Sequence, residues 1–197
     1  LATILLDDFS SGTSAAGKVV TPPEAARGFV LRPQRDDDAT FLLDLFRSHA
    51  AEGLAAVPIE MRNRLIAMQF NAQAASYRTQ YPEARFDIVE RDAAPIGRLV
   101  LDVSAATACV VDIALLAEHR GQGLGPALLT QVLTSLPPHV IAMRCMVVWH
   151  NERSLRMFRR LGFVALDDAP YRTLAWQRPI CASTIRREVR DGTAPDA

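Results

Sequence analysis

The chain has no excess of charge of either sign: 22 lysines and arginines stand against 22 acids. A balanced chain makes no basic field to hold nucleic acid, and the local cluster Arg156, Arg159 and Arg160 reads as the solvated face of a helix. Cysteine is scarce, with three residues. Cys109, Cys145 and Cys181 lack metal-ligand spacing, and the first two lie in apolar runs, so they read as reduced thiols in or near the core. No metal site is expected. No apolar run approaches the length of a membrane span, and the apolar start, residues 1–9, is too short and too acidic for a signal peptide. The expected location is cytoplasmic, by default. No internal repeat is visible, and the first methionine is Met61.

What is present suits one compact domain. With 197 residues, 49% of them hydrophobic and 22% charged, the chain can bury one good core and is short for two. Residues 1–27 are rich in Ser, Gly, Ala, Thr and Pro through 10–23 and read as a flexible extension. Residues 28–180 form the domain, and the charged, Gly- and Pro-punctuated residues 181–197 form a tail. A strand is expected at 29–32. Asp36 to Asp38 should cap a helix that carries Phe41, Leu42, Leu45 and Phe46 at helical spacing. A second helix follows Pro58, through Met61, Leu65 and Met68 toward Tyr77, and Pro82 ends it. The segments 85–91, 96–103 and 109–116 predict an antiparallel meander, with turns at 92–95 and 104–107. A helix over 126–136, a strand over 141–149, a helix over 154–161 and a strand over 171–177 complete a mixed sheet with helices on both faces.

The most informative stretch is Arg120-Gly121-Gln122-Gly123-Leu124-Gly125, placed between an apolar strand and a helical pattern. Glycines let a backbone turn tightly and approach a ligand, while N–H groups at a helix start can hold phosphate oxygens. A Walker loop is excluded, because Gly125 is followed by Pro126 and Ala127 and no lysine or hydroxyl is in place. A dinucleotide fingerprint is excluded too: the loop reads G-x-G-x-G and lies past the middle of the chain.

Residues Ile113 to Gly125 resemble the acetyl-CoA signature of the GNAT superfamily of N-acetyltransferases, whose core is Gln/Arg-x-x-Gly-x-Gly/Ala after a strand. Downstream, Asn151 to Phe163 is similar to that superfamily's later helix, which begins with Asn and closes in Leu-Gly-Phe. Two matches in this order and spacing are far more specific than either alone. Weaker resemblance at Phe29-Val30-Leu31-Arg32-Pro33 and Ile96-Gly97-Arg98-Leu99 extends it over about residues 28 to 178.

The resemblance implies a mainly antiparallel sheet whose strands before and after the glycine loop splay apart, so that the pantetheine arm inserts like a missing strand. It implies an acetyl-CoA co-substrate bound by Leu115, Leu116, Ala117, Arg120, Gly121, Gln122, Gly123, Leu124 and Gly125, with N–H donors running from Leu116 to Gly125. Asn151, Ser154 and Phe158 line the same cofactor. Pro126 departs from an ideal donor loop because it has no N–H. The implied activity is direct acetyl transfer to a primary amine of a small molecule or peptide, without nucleic acid or membrane. A homodimer is left open. The alternative is a non-catalytic acyl-CoA-binding sensor or interaction module.

Such transfer must deprotonate an ammonium, polarise the thioester carbonyl and protonate a thiolate. The backbone near Leu115 could polarise the carbonyl. The superfamily's usual acid is a tyrosine seven residues after the helix Asn, where this chain has Phe158. Tyr171 is the substitute candidate, beside unassisted departure or water. For the base, Asp112 interrupts an apolar strand, and its structural alternative is a carboxylate bonded to a neighbouring loop. His119 reads as a phosphate-side residue and His150 as a helix-entry residue. His49 and Glu52 border the acceptor region, with simple exposure as their alternative.

Overall fold

The computed structural model describes residues 28–50 and 52–179. The expected extension 1–27, the tail 181–197 with Cys181, and the side chain of Glu52 lie outside the described residues. Seven strands, β1 (Phe29–Pro33), β2 (Arg85–Arg91), β3 (Ala94–Asp102), β4 (Thr107–Leu115), β5 (Ala142–Val148), β6 (Val164–Ala165) and β7 (Tyr171–Gln177), accompany four α-helices. These are α1 (Ala39–Ala50), α2 (Ile59–Gln80), α3 (Leu124–Thr134) and α4 (Glu152–Arg160). No helix among the described residues is long and apolar enough to cross a membrane.

The sheet runs β1-β2-β3-β4-β5-β7-β6. The expected meander is present, with a tighter first turn than expected: Asp92 and Ala93 alone reverse the chain, at φ 51° and 61°. Positive φ at both central residues gives the local twist that matches a hairpin, normally a task for Asn-Gly. Asp36 to Asp38 form a separate 3₁₀ turn before α1 rather than simple caps. Asp38 is buried, and its carboxylate accepts the Arg35 N–H and two hydrogen bonds from Arg32, each at 2.7 Å. α3 starts two residues earlier than expected because Gly123, at φ 75°, already closes the loop and Pro126 is tolerated within the first turn.

β4 and β5 are parallel neighbours, joined by α3. Their pairing runs only from Thr107 opposite Ala142 to Val110 opposite Cys145, although β4 continues to Leu115 and β5 to Val148. The two strands therefore part in their second halves, as the implied splay requires. One large apolar cluster joins α3 and α4 to the sheet through Leu128, Val132, Phe158, Val110, Ile113 and Cys145. On the opposite face, Tyr77 of α2 packs with Val100 and Val111.

A bulge in β4 decides which side chains reach which face. Val100 pairs with Asp112 but Leu101 pairs with Val110, leaving Val111 unpaired. Up to the bulge, Cys109 and Val111 face the α1/α2 layer; after it, Asp112 and Ala114 do. An extra residue shifts the two-residue alternation by one step. Without it, Asp112 would point into the apolar core between the sheet and α3.

Candidate active site

The glycine loop sits at the mouth of the splay. Gly121 and Gly123 adopt φ 84° and 75°, a region in which side-chain-bearing residues are strained. The N–H of Leu116 donates to the Ile96 carbonyl at 2.9 Å, so Leu115 and Gly97 face each other as a non-hydrogen-bonded pair. The N–H and C=O of Leu115 consequently point away from β3, into the gap between β4 and β5. The guanidinium of Arg120 reaches back, with Nε donating to the Leu115 carbonyl at 3.0 Å and Nη2 2.8 Å from His49 Nδ1. Arg120 thus ties the loop to the end of α1.

The expected unbroken row of donors from Leu116 to Gly125 is corrected by this geometry. Leu116, His119 and Arg120 donate their N–H groups to Ile96, Leu116 and Ala117. The last two close a 3₁₀ turn at Ala117–His119 that the sequence pattern does not reveal. The carboxamide oxygen of Asn151 caps α4 by accepting the Ser154 N–H at 3.0 Å.

On the α1/α2 face, a cavity of about 240 Å³ is lined by Leu42, Phe46, His49, Gln69, Asp112 and Ala114, among others. Ala114 lines it while the next residue, Leu115, turns its backbone to the gap, so cavity and gap meet at that step of β4. Asp112 is 1% exposed and forms an ion pair with Arg98 of β3. Arg98 Nε donates to Asp112 Oδ2 at 2.8 Å, and Nη2 also contacts that oxygen and donates to Gln73 Oε1 at 3.0 Å. Burial pushes the Asp112 carboxyl above the usual carboxylate range, while the Arg98 charge pulls against that shift.

Arg98, Gln69 and Gln73 were missed as site residues by sequence reasoning. The available signal was an arginine inside the apolar run of β3, matching the acid inside the apolar run of β4.

The other candidates are dispersed. Phe158, expected at the cofactor, is 0% exposed, with its ring edge-on to Phe163 at 5.0 Å. The ring belongs to the core cluster. Tyr171 opens β7 opposite Val148 and is 38% exposed. Cross-strand partners share a face and successive pairs alternate. Since the Cys145–Leu174 pair faces the α3/α4 core, Val148 and Tyr171 face the α1/α2 side, beside the splay but outside the cavity lining. His119 Nδ1 is buried with no hydrogen-bond partner among the described residues. His150 packs edge-on against Trp149 at 5.6 Å. Cys145 is buried and Cys109 half-buried, both as free thiols, and burial raises the pKa of each.

A sheet opened between two parallel strands, with a glycine loop at its mouth and a charged cavity against the next strand, has the architecture of an acyltransferase. Residues 44–163 match the acetyltransferase (GNAT) family, and the chain belongs to it. The fold is similar to that of PaiA N-acetyltransferase from Thermoplasma acidophilum in complex with coenzyme A. That match has 16% identity and a TM-score of 0.60, and covers 77% of this chain and 99% of the other. It is also similar to yncA from Salmonella typhimurium with acetyl-CoA: 16% identity, TM-score 0.51, 86% of this chain and 99% of the other. A chimera of the spermidine N-acetyltransferase SpeG from Vibrio cholerae and hSSAT matches at 16% identity and TM-score 0.54, over 76% of this chain and 95% of the other. No curated protein matches the sequence.

Proposed function

We propose that this acetyltransferase moves the acetyl group of acetyl-CoA directly to a primary amine. The observation that carries this reading is the backbone of Leu115, which faces the β4/β5 gap one residue from the cavity wall at Ala114. Residues 115–117 and 120–125 would hold the co-substrate at the gap, with Asn151 and Ser154 on its other side. In the transfer the amine nitrogen forms a bond to the thioester carbon, the C–S bond breaks, and the sulfur leaves as a thiolate. The amine must first lose its ammonium proton.

Asp112 is the one acid among the described residues lining the cavity, and we assign it the orientation of the ammonium and the acceptance of its proton. Arg98, itself bonded to Gln73, holds it in place. Tyr171, on the same face, is assigned the protonation of the thiolate. The alternative is a binder of acyl-CoA without turnover.

Thermal melting with and without acetyl-CoA, followed by thiol release with an amine panel, separates the two. Stabilisation with release supports the transferase; stabilisation without release supports the binder; no stabilisation removes the acyl-CoA site. With an acceptor in hand, Asp112→Asn should keep acetyl-CoA affinity and lower turnover per folded molecule by about 100-fold. A rate within a factor of two of the parent removes Asp112 from the chemistry.

A further inference from the structure

A second cavity, of about 230 Å³, lies beside the first and shares two of its lining residues, Leu42 and Arg98. Its wall includes Arg35, Asp36, Phe70, Arg78 and Phe86. The two cavities thus adjoin at the Arg98 side chain, beneath α1 and α2. Their charges differ in kind. In the first, the acid is Asp112, and the Arg98 guanidinium already engages it through Nε and Nη2. In the second, Arg35, Arg78 and Arg98 stand against the single acid Asp36.

Arg98 carries the connection. It is 7% exposed, so its charge is felt in a medium far less screening than water. Nε and Nη2 are engaged by Asp112 and Gln73, while among the described residues no acceptor bonds Nη1. The guanidinium carbon also lies 5.8 Å from the centre of the Tyr77 ring, which fixes its plane. Arg78 is held in the same way, 5.5 Å from the centre of the Phe86 ring. A planar cation fixed in this way and with an open edge suits a carboxylate.

The geometry points to an acceptor that carries an acid group. The two cavities form one acceptor cleft for a small primary amine bearing a carboxylate, with the amine in the first cavity near Ala114 and the carboxylate toward Arg98, Arg35 and Arg78. A polyamine does not suit this cleft. Each further ammonium needs an anion, yet beyond Asp112, which takes the reacting amine, the lining offers only Asp36, outnumbered by arginines. This inference rests on the acetyltransferase reading of the same site and adds the class of acceptor to it.

The test uses the full chain and amine pairs that differ by one carboxylate: leucine against isopentylamine, and 4-aminobutyrate against propylamine, with spermidine beside them. Thiol release from acetyl-CoA should give at least one carboxylate-bearing amine a kcat/KM tenfold or more above its partner, about the effect of one charge-assisted hydrogen bond. Spermidine should rank among the poorest. Arg35→Gln and Arg78→Gln should each shrink that ratio at least fivefold while leaving stabilisation by acetyl-CoA intact. Equal rates within both pairs, a preference for the carboxyl-free member, or spermidine as the best acceptor would overturn the inference. A ratio unmoved by both variants overturns it as well. Should no amine in the set turn over, calorimetry with coenzyme A present decides: tighter binding of the carboxylate-bearing member upholds the cleft, and binding of neither member overturns it. Absence of any stabilisation by acetyl-CoA is a different failure, that of the transferase reading itself.

Discussion

A phenylalanine where a related helix carries a tyrosine invites the idea that a hydroxyl was lost from the site, but the surroundings of Phe158 argue otherwise. The ring is fully buried and rests edge-on against Phe163, among Leu155, Met157 and the inward residues of β5. A hydroxyl added there would enter an apolar core. Phe158→Tyr is expected to cost about 1–3 kcal/mol, the desolvation of one unpaired polar group, or a fall in melting temperature of roughly 2–12 °C for a chain of this size. Acetyl-CoA affinity should stay within a factor of two by calorimetry. A variant as stable as the parent, or one with changed affinity, would return this position to the site. Asp112 shows the converse. The sequence marks it because a carboxylate in an apolar strand is costly unless bonded, yet its partner Arg98 lies 14 residues away, on the neighbouring strand. Only the strand register brings them together.

At the level of elements, the local patterns were readable and their departures from regularity were not. The strands Arg85–Arg91 and Tyr171–Gln177 have the predicted bounds, since alternation and flanking turns are encoded in the residues themselves. The two-residue strand Val164–Ala165 is too short to show a period. The bulge at Val111 leaves no mark in composition, yet it aims Asp112 at the cavity. Gly97 is a further hidden constraint. A Cβ there would meet the Ala114 carbonyl oxygen and come within 2.6 Å of Leu115 Cδ2. Backbone cannot yield as a flexible side-chain end can, so β4 itself would have to move. Gly97→Ala should therefore destabilise the fold by about 1–3 kcal/mol and weaken acetyl-CoA binding more than tenfold, because the displaced residues are those that border the gap. Melting and titration calorimetry check both effects, and normal affinity in a destabilised variant would separate the β3/β4 contact from the cofactor site.

Across the whole molecule, the helical layer over the acceptor cleft is tied to the sheet edge by charge as well as by packing. Arg32 of β1 bonds Asp38, in the turn leading to α1, through both Nη atoms, and bonds Glu90 of β2 through Nε at 2.6 Å. The Arg32 hydrogen bonds hold the Asp38 carboxyl below the usual carboxylate range, despite the opposing effect of burial. A carboxyl whose pKa is lower folded than unfolded adds stability above its unfolded pKa, and this is lost as pH falls through the folded value. At neutral pH, Asp38→Asn should thus lower the melting temperature, since it replaces one of the two anionic partners of Arg32 with a neutral one. The gap between parent and variant should close as pH falls from about 4, the usual carboxylate value, to below the depressed Asp38 value, where the parent also loses its charge. Other acids shift both proteins alike, so the difference between the two melting curves isolates this link. A gap of constant size from pH 7 to pH 2 would show that Asp38 acts through shape and hydrogen bonding alone. A gap that closes would make the entry to α1, and with it one wall of the acceptor cleft, the acid-sensitive joint of the fold.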